Sequence, residues 1–160
     1  MVSFFGSRLR SWRDPGLFFA LMLAIGPGLI VNGVFKPYWG RPRPHCTIPF
    51  GGDQEFLPVL QKGCDQDYAS FPCGHASMGF YLMAPAFVFY RRKPWLAMAF
   101  LCLGLVAGIT RIVEGSHFAS DVLWSGGFVY FTGLALAAVF RLTTDAASPL
   151  CRGNPNGEGG

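Results

Sequence analysis

Four apolar runs, separated by polar connections rich in proline and glycine, divide the chain: Leu17 to Phe35, Ala76 to Tyr90, Trp95 to Thr110 and Val122 to Phe140. A helix needs about 20 residues to cross the hydrocarbon core of a bilayer. The first and last runs meet that length unaided, and the middle two reach it with flanking residues such as Gly74-His75 and Arg111 to Val113. The pattern predicts an all-α integral membrane bundle of about four transmembrane helices, with a long non-cytoplasmic loop over residues 37 to 70. Within the first run, Gly26-Pro27-Gly28 removes a helix hydrogen bond and predicts a kink or break. Gly104 and Gly108 form a small-xxx-small pair that lets two helix backbones approach closely. The organisation expected is a basic juxtamembrane segment (1–16), a membrane-embedded core (17–142) and a disordered tail rich in Gly, Pro and Asn (143–160).

Composition agrees with a membrane class: 51% of the residues are hydrophobic and only 14% charged, with a mean hydropathy of +0.35, too apolar for an ordinary soluble domain. Charge then orients the spans. Arg8, Arg10 and Arg13 precede the first, Arg91-Arg92-Lys93 fill the second connection, and Arg141 and Arg152 follow the last. These fall on one side, which the positive-inside rule makes cytoplasmic. The connections 36–75 and 111–121 then share the opposite face. The net charge of +4 is accounted for by this topology and by the motifs below, so no nucleic-acid partner is expected. Cys46 and Cys64 share the outer loop, and their spacing leaves pairing and free thiols equally open. No metal and no cofactor is expected, because His45, Cys46, Cys64 and Cys73 lack the paired spacing of a zinc site.

The chemistry is concentrated on that outer face. Lys36, Arg43 and Arg111 supply fixed positive charge. Cys73-Gly74-His75 puts a glycine, where backbone can approach a ligand, at the start of a helix, where unpaired N–H groups favour an anion. His117 and Asp121 are four residues apart and share a helix face. A carboxylate accepting the proton of one imidazole nitrogen would leave the other free to attack phosphorus. His117 is accordingly the candidate nucleophile, Asp121 its orienting group and His75 the general acid for a leaving alkoxide. Arg41 is given a secondary place, and Glu114 either orients Arg111 or faces solvent.

The blocks read Lys-x6-Arg-Pro, Pro-x-Gly-His and Arg-x5-His-x3-Asp, in that order, over residues 36 to 121. This resembles the type 2 phosphatidic acid phosphatase superfamily. The resemblance implies a metal-independent phosphatase of a membrane lipid, acting through a phosphohistidine, with Lys36, Arg43, Cys73, Gly74 and Arg111 binding phosphate. Cys73 stands where the family usually has serine, a better hydrogen-bond donor, which implies reduced or retuned phosphate binding. Segments such as Asn32-Gly33 and Gly40-Arg41-Pro42-Arg43-Pro44 look similar to bacterial phosphatases of lipid A or undecaprenyl (polyprenyl) pyrophosphate, with phosphatidylglycerophosphate and phosphatidic acid also open. The expected setting is the inner (cytoplasmic) membrane of a bacterium, with the site facing the periplasm and the oligomeric state open. Relatives commonly have about six membrane helices, so one or two N-terminal helices are expected to be missing. The alternative is a non-catalytic protein that uses the same cradle to bind or transport a phospholipid.

Overall fold

The structure, a computed structural model, describes residues 15–65, 67–89 and 95–140. Helix α1 is described over residues 15 to 39. Its middle, Ala24–Phe35, is wound as a π-helix around Pro27, and its last turn, Lys36–Trp39, is α-helical again. Proline cannot donate to the carbonyl four residues back, and the wider winding absorbs the defect. Asn32 Nδ2 donates to the Pro27 carbonyl at 2.7 Å. The kink or break expected at Gly26-Pro27-Gly28 is thus replaced by a change of winding in a continuous helix. Gly40 ends it in a left-handed conformation at φ 64°, where a Cβ would stand 2.6 Å from the Asp65 carbonyl oxygen.

After the loop come α2 (Gly74–Tyr81), α3 (Ala84–Phe89), α4 (Trp95–Val113) and α5 (Ala119–Val139). Among the described residues three helices are long and apolar enough to cross a membrane: the stretch that starts at Pro15, α4 and α5. The second of the four expected spans is instead two short helices, α2 and α3, separated by a tight turn in which Leu82 and Met83 N–H bond to the Gly79 and Phe80 carbonyls. Pro85 explains the interruption, since a continuous helix would require it to donate to Tyr81.

Helix α2 lies in the middle of the bundle, packed mainly on α4 and α5 and also on α1. Phe18 and Met22 of α1, Cys73, Ala76 and Phe80 at α2, Ala84 of α3, and Val122, Val129 and Ala137 of α5 form the buried core. The Gly104/Gly108 pair works within the chain. A Cβ on Gly104 would lie 2.4 Å from the Phe80 ring, and one on Gly108 would lie 2.2 Å from Val122 Cγ1. Two buried hydroxyls on α5 are satisfied along their own helix, Ser125 by the Asp121 carbonyl and Thr132 by the Phe128 carbonyl, both at 2.7 Å.

The long loop is tied to the end of the bundle. Trp39 Nε1 donates to the Val59 carbonyl at 2.9 Å, Gly63 N–H to the Trp39 carbonyl at 2.8 Å and Ser70 N–H to the Arg41 carbonyl at 3.0 Å. The His45 N–H bonds to the Gly115 carbonyl at 3.2 Å, and its Nδ1 to the same oxygen at 2.9 Å. Cys46 and Cys64 are both free thiols. Arg8, Arg10, Arg13, Arg91-Arg92-Lys93, Arg141 and Arg152, from which the orientation was read, lie outside the described residues, as do most of the juxtamembrane segment and the whole expected tail.

Candidate active site

Lys36 sits one turn beyond Asn32, so both side chains reach the start of α2. A Cβ on Gly74 would stand 2.8 Å from Asn32 Oδ1 and 3.5 Å from Lys36 Nζ. Glycine is what allows this approach, and it brings the Lys36 ammonium to the end of α2 where backbone N–H groups gather. Cys73 caps that helix, its buried Sγ accepting from Ala76 N–H at 3.4 Å. Burial raises the thiol's pKa above its ordinary value, so Cys73 acts as a neutral cap. His75, the second residue of α2, is exposed.

His117 lies in the turn between α4 and α5 and is only 4% exposed. Its Nδ1 is 2.5 Å from the Ser70 carbonyl oxygen. A carbonyl only accepts, so Nδ1 carries the proton and Nε2 keeps the lone pair. Burial is the main cause that lowers the imidazole pKa from 6.5 to about 4. The bond to Ser70 opposes the shift, and the positive charges of Lys36, Arg43 and Arg111 add to it. All three cations expected at a phosphate site therefore act on the same ring, although they come from α1, the loop and α4.

Asp121 does not orient His117 in the way expected. Its Oδ2 is 3.9 Å from His117 Nδ1, beyond hydrogen-bonding range. The carboxylate instead pairs with Arg41 and accepts from Ser70 Oγ at 2.7 Å and from Phe118 N–H at 2.9 Å. The last bond caps α5. A permanently charged guanidinium is a stronger partner than an imidazole that burial keeps neutral. Arg41, placed second by its position in the motif, is 2% exposed. It donates through Nε to the Leu57 carbonyl and through Nη1 to Ser120 Oγ, both at 2.9 Å. Its guanidinium carbon lies 4.2 Å from the centre of the Phe118 ring.

Arg111 is paired with Glu114 one turn on, and the Glu114 side chain is at the same time half-exposed. Arg111 Nε is buried with no hydrogen-bond partner among the described residues. Arg43 is exposed and precedes the short turn Pro44–Cys46. Ser70 and Asn32 were not singled out as site residues. Nothing in the sequence marks a backbone carbonyl as a histidine's partner, whereas Asn32 stands four residues before Lys36 and that helical spacing could have drawn attention to it.

The PAP2 superfamily model matches residues 16–146. The chain belongs to the PAP2 superfamily. It is 43% identical over 135 residues to the lipid A 4'-phosphatase of Francisella tularensis subsp. novicida (strain U112), covering 81% of this chain and 60% of that protein. It is 35% identical over 117 residues to the lipid A 4'-phosphatase of Rhizobium leguminosarum, covering 70% of this chain and 50% of that protein. Against phosphatidylglycerophosphatase B of Bacillus subtilis (strain 168) the identity is 31% over 117 residues, covering 68% of this chain and 49% of that protein. The chain thus spans about half to three fifths of the length of these relatives. No solved structure matches it. As a PAP2 chain it carries the three blocks at one end of its bundle, linked by the Ser70–His117 and Arg41–Asp121 contacts and by the approach of Lys36 to Gly74.

Proposed function

We propose that this PAP2 chain is a metal-independent phosphatase that removes phosphate from a membrane lipid at the periplasmic face of a bacterial inner membrane, through a phosphohistidine on His117. The observation that carries the reading is the state of His117: a buried neutral imidazole with its proton on Nδ1, under the influence of Lys36, Arg43 and Arg111. Such a ring offers Nε2 as a nucleophile where anionic phosphate is attracted.

In the first step the Nε2 lone pair forms a bond to phosphorus, the P–O bond to the lipid breaks, and the departing oxygen takes a proton from protonated His75. In the second, His75 accepts a proton from water, the water oxygen bonds to phosphorus, and the P–N bond breaks to release inorganic phosphate and neutral His117. Lys36, Arg43 and Arg111 bear the charge on the non-bridging oxygens. The buried Nε–H of Arg111 is a donor that such an oxygen would satisfy. Gly74 lets Asn32 and Lys36 close on the α2 N-terminus, and Cys73 supports that cradle as its cap.

The relatives' names favour lipid A as the first substrate to test and phosphatidylglycerophosphate as the second, with phosphatidic acid and undecaprenyl pyrophosphate completing the panel. The test is phosphate release from these lipids in detergent micelles. Release that His117→Ala and His75→Ala abolish and EDTA leaves unchanged is the expected result. Full release by His117→Ala would overturn the mechanism. Saturable lipid binding with no release would favour a carrier instead.

A further inference from the structure

The pairing of Asp121 with Arg41 leaves His117 oriented by a backbone carbonyl, and that carbonyl needs an anchor of its own. Ser70 is held on both sides. Its N–H donates to the Arg41 carbonyl at 3.0 Å, and its Oγ donates to Asp121 Oδ2 at 2.7 Å. The other oxygen of the same carboxylate is bound by the Arg41 guanidinium. Arg41, Asp121 and Ser70 thus form a closed ring of contacts from which a single group, the Ser70 carbonyl, reaches out to His117 Nδ1 at 2.5 Å. The remaining guanidinium contacts fasten the ring to its surroundings: Nε to the Leu57 carbonyl of the outer loop and Nη1 to Ser120 Oγ at the start of α5. The Phe118 and Phe56 rings lie 4.2 Å and 5.6 Å from the guanidinium carbon.

We propose that Arg41 is a positioning residue for the reaction: through Asp121 and Ser70 it fixes the His117 imidazole with its proton on Nδ1, leaving Nε2 as the attacking nitrogen. The inference rests on the reading of His117 as nucleophile. Lysine cannot replace Arg41, because one ammonium cannot reach Asp121, Leu57 and Ser120 together as the fork does. With Arg41 gone, Asp121 is left 3.9 Å from Nδ1 without its cation and competes with the Ser70 carbonyl for the imidazole proton. The charged groups acting on the ring are then Lys36 from α1, Arg43 from the loop, Arg111 from α4 and a freed Asp121 from α5. A carboxylate turned toward the ring favours the imidazolium.

The test uses the full chain in detergent micelles with 15N-labelled histidine, of which there are three to assign. In the wild type the His117 nitrogens should report a neutral ring protonated on Nδ1. In Arg41→Gln they should report mixed tautomers and an imidazolium forming at higher pH. Ser70→Ala, which removes only the hydroxyl and keeps the Arg41–Asp121 pair, should move the signals in the same direction. Phosphate release from lipid A should lose about tenfold to hundredfold in kcat with KM within about twofold, as misplacement of a reacting group does. The acid limb of kcat/KM should move to higher pH in both variants, and Arg41→Lys should not rescue either parameter. Unchanged His117 tautomer and titration in Arg41→Gln and Ser70→Ala would overturn the proposal, whatever the activity. Loss of the Nδ1–H tautomer in a protein whose His117→Ala form still releases phosphate would instead overturn the assigned nucleophile, and with it Arg41's part in the reaction, while showing that Arg41 does set the His117 tautomer.

Discussion

Gly108 touches no residue of the site, yet its replacement by alanine should slow the reaction. It lies in α4 three residues before Arg111, against Val122, which follows Asp121 in α5. A Cβ added there would stand 2.2 Å from Val122 Cγ1, roughly 1.2 Å short of the 3.4 Å at which ordinary contact begins. Rotating Val122 gives no relief, because its Cβ and Cγ2 are already 3.3 Å from the same point and a β-branched side chain in a helix has one preferred rotamer. The helices must therefore separate by about 1 Å. Overpacking of this kind costs about 1–3 kcal/mol, and alanine's better helix propensity returns about 1 kcal/mol, so the loss of stability should be small. The effect on rate should be larger, since a displacement of about 1 Å between reacting groups can cost about a hundredfold. Phosphate release by Gly108→Ala should accordingly fall by about that factor while its thermal midpoint moves by only a few degrees. Combining it with Val122→Ala removes the obstructing methyls and should recover most of the rate. A Gly108→Ala protein with undiminished kcat, or a double variant no faster than the single, would refute the argument that this seam sets the spacing of Arg111 and Asp121.

Asp121→Asn leaves the Arg41 guanidinium buried without a counter-charge and should destabilise the fold by about 3–5 kcal/mol in an SDS titration followed by helical circular dichroism, with Arg41→Met/Asp121→Leu regaining most of it; wild-type stability in Asp121→Asn would refute the strut role. His117 binds its proton in the unfolded chain near pH 6.5 but in the fold only near pH 4, so stability is complete above pH 6.5 and falls as the pH drops through that window. The loss reaches about 3 kcal/mol at about 1.4 kcal/mol per pH unit. The same titration at several pH values should show a slope that His117→Ala abolishes. Cys73→Ser should cap α2 more strongly by about 0.5–1 kcal/mol and raise phosphate release, and a drop in release would show that the thiol is adapted to its site.

The three blocks were legible because each is short and places its residues by local spacing. Lys36 falls at the end of one helix, Gly74 opens another, and His117 lies just ahead of α5. Their arrival at one end of the bundle could be read from the alternation of apolar runs. What the spacing of His117 and Asp121 concealed was competition. Four residues place them on one face, but Arg41, 80 residues away in the chain, takes the carboxylate. Two arginines in Gly40-Arg41-Pro42-Arg43-Pro44 could not be ranked by burial from their order alone, and the one that seemed secondary is enclosed while Arg43 is exposed. Pro27 and Pro85 are both helix breakers by composition. One is absorbed by a π winding and the other divides α2 from α3, a difference that depends on the neighbours each meets.

The Arg41–Asp121 pair also constrains the order in which the chain can be assembled. Arg41 follows α1 in the chain, and Asp121 comes only with α5. Until α5 is delivered, the guanidinium has no counter-ion to accompany it out of water, and enclosing it alone would cost several kcal/mol. The long loop must therefore stay hydrated and unfastened until α5 is in place, and closes over Arg41 when Asp121 arrives. Completion of α5 is in this way the event that turns this end of the bundle from a wet, open surface into an organised one, so a chain stalled before α5 would carry the candidate site unassembled.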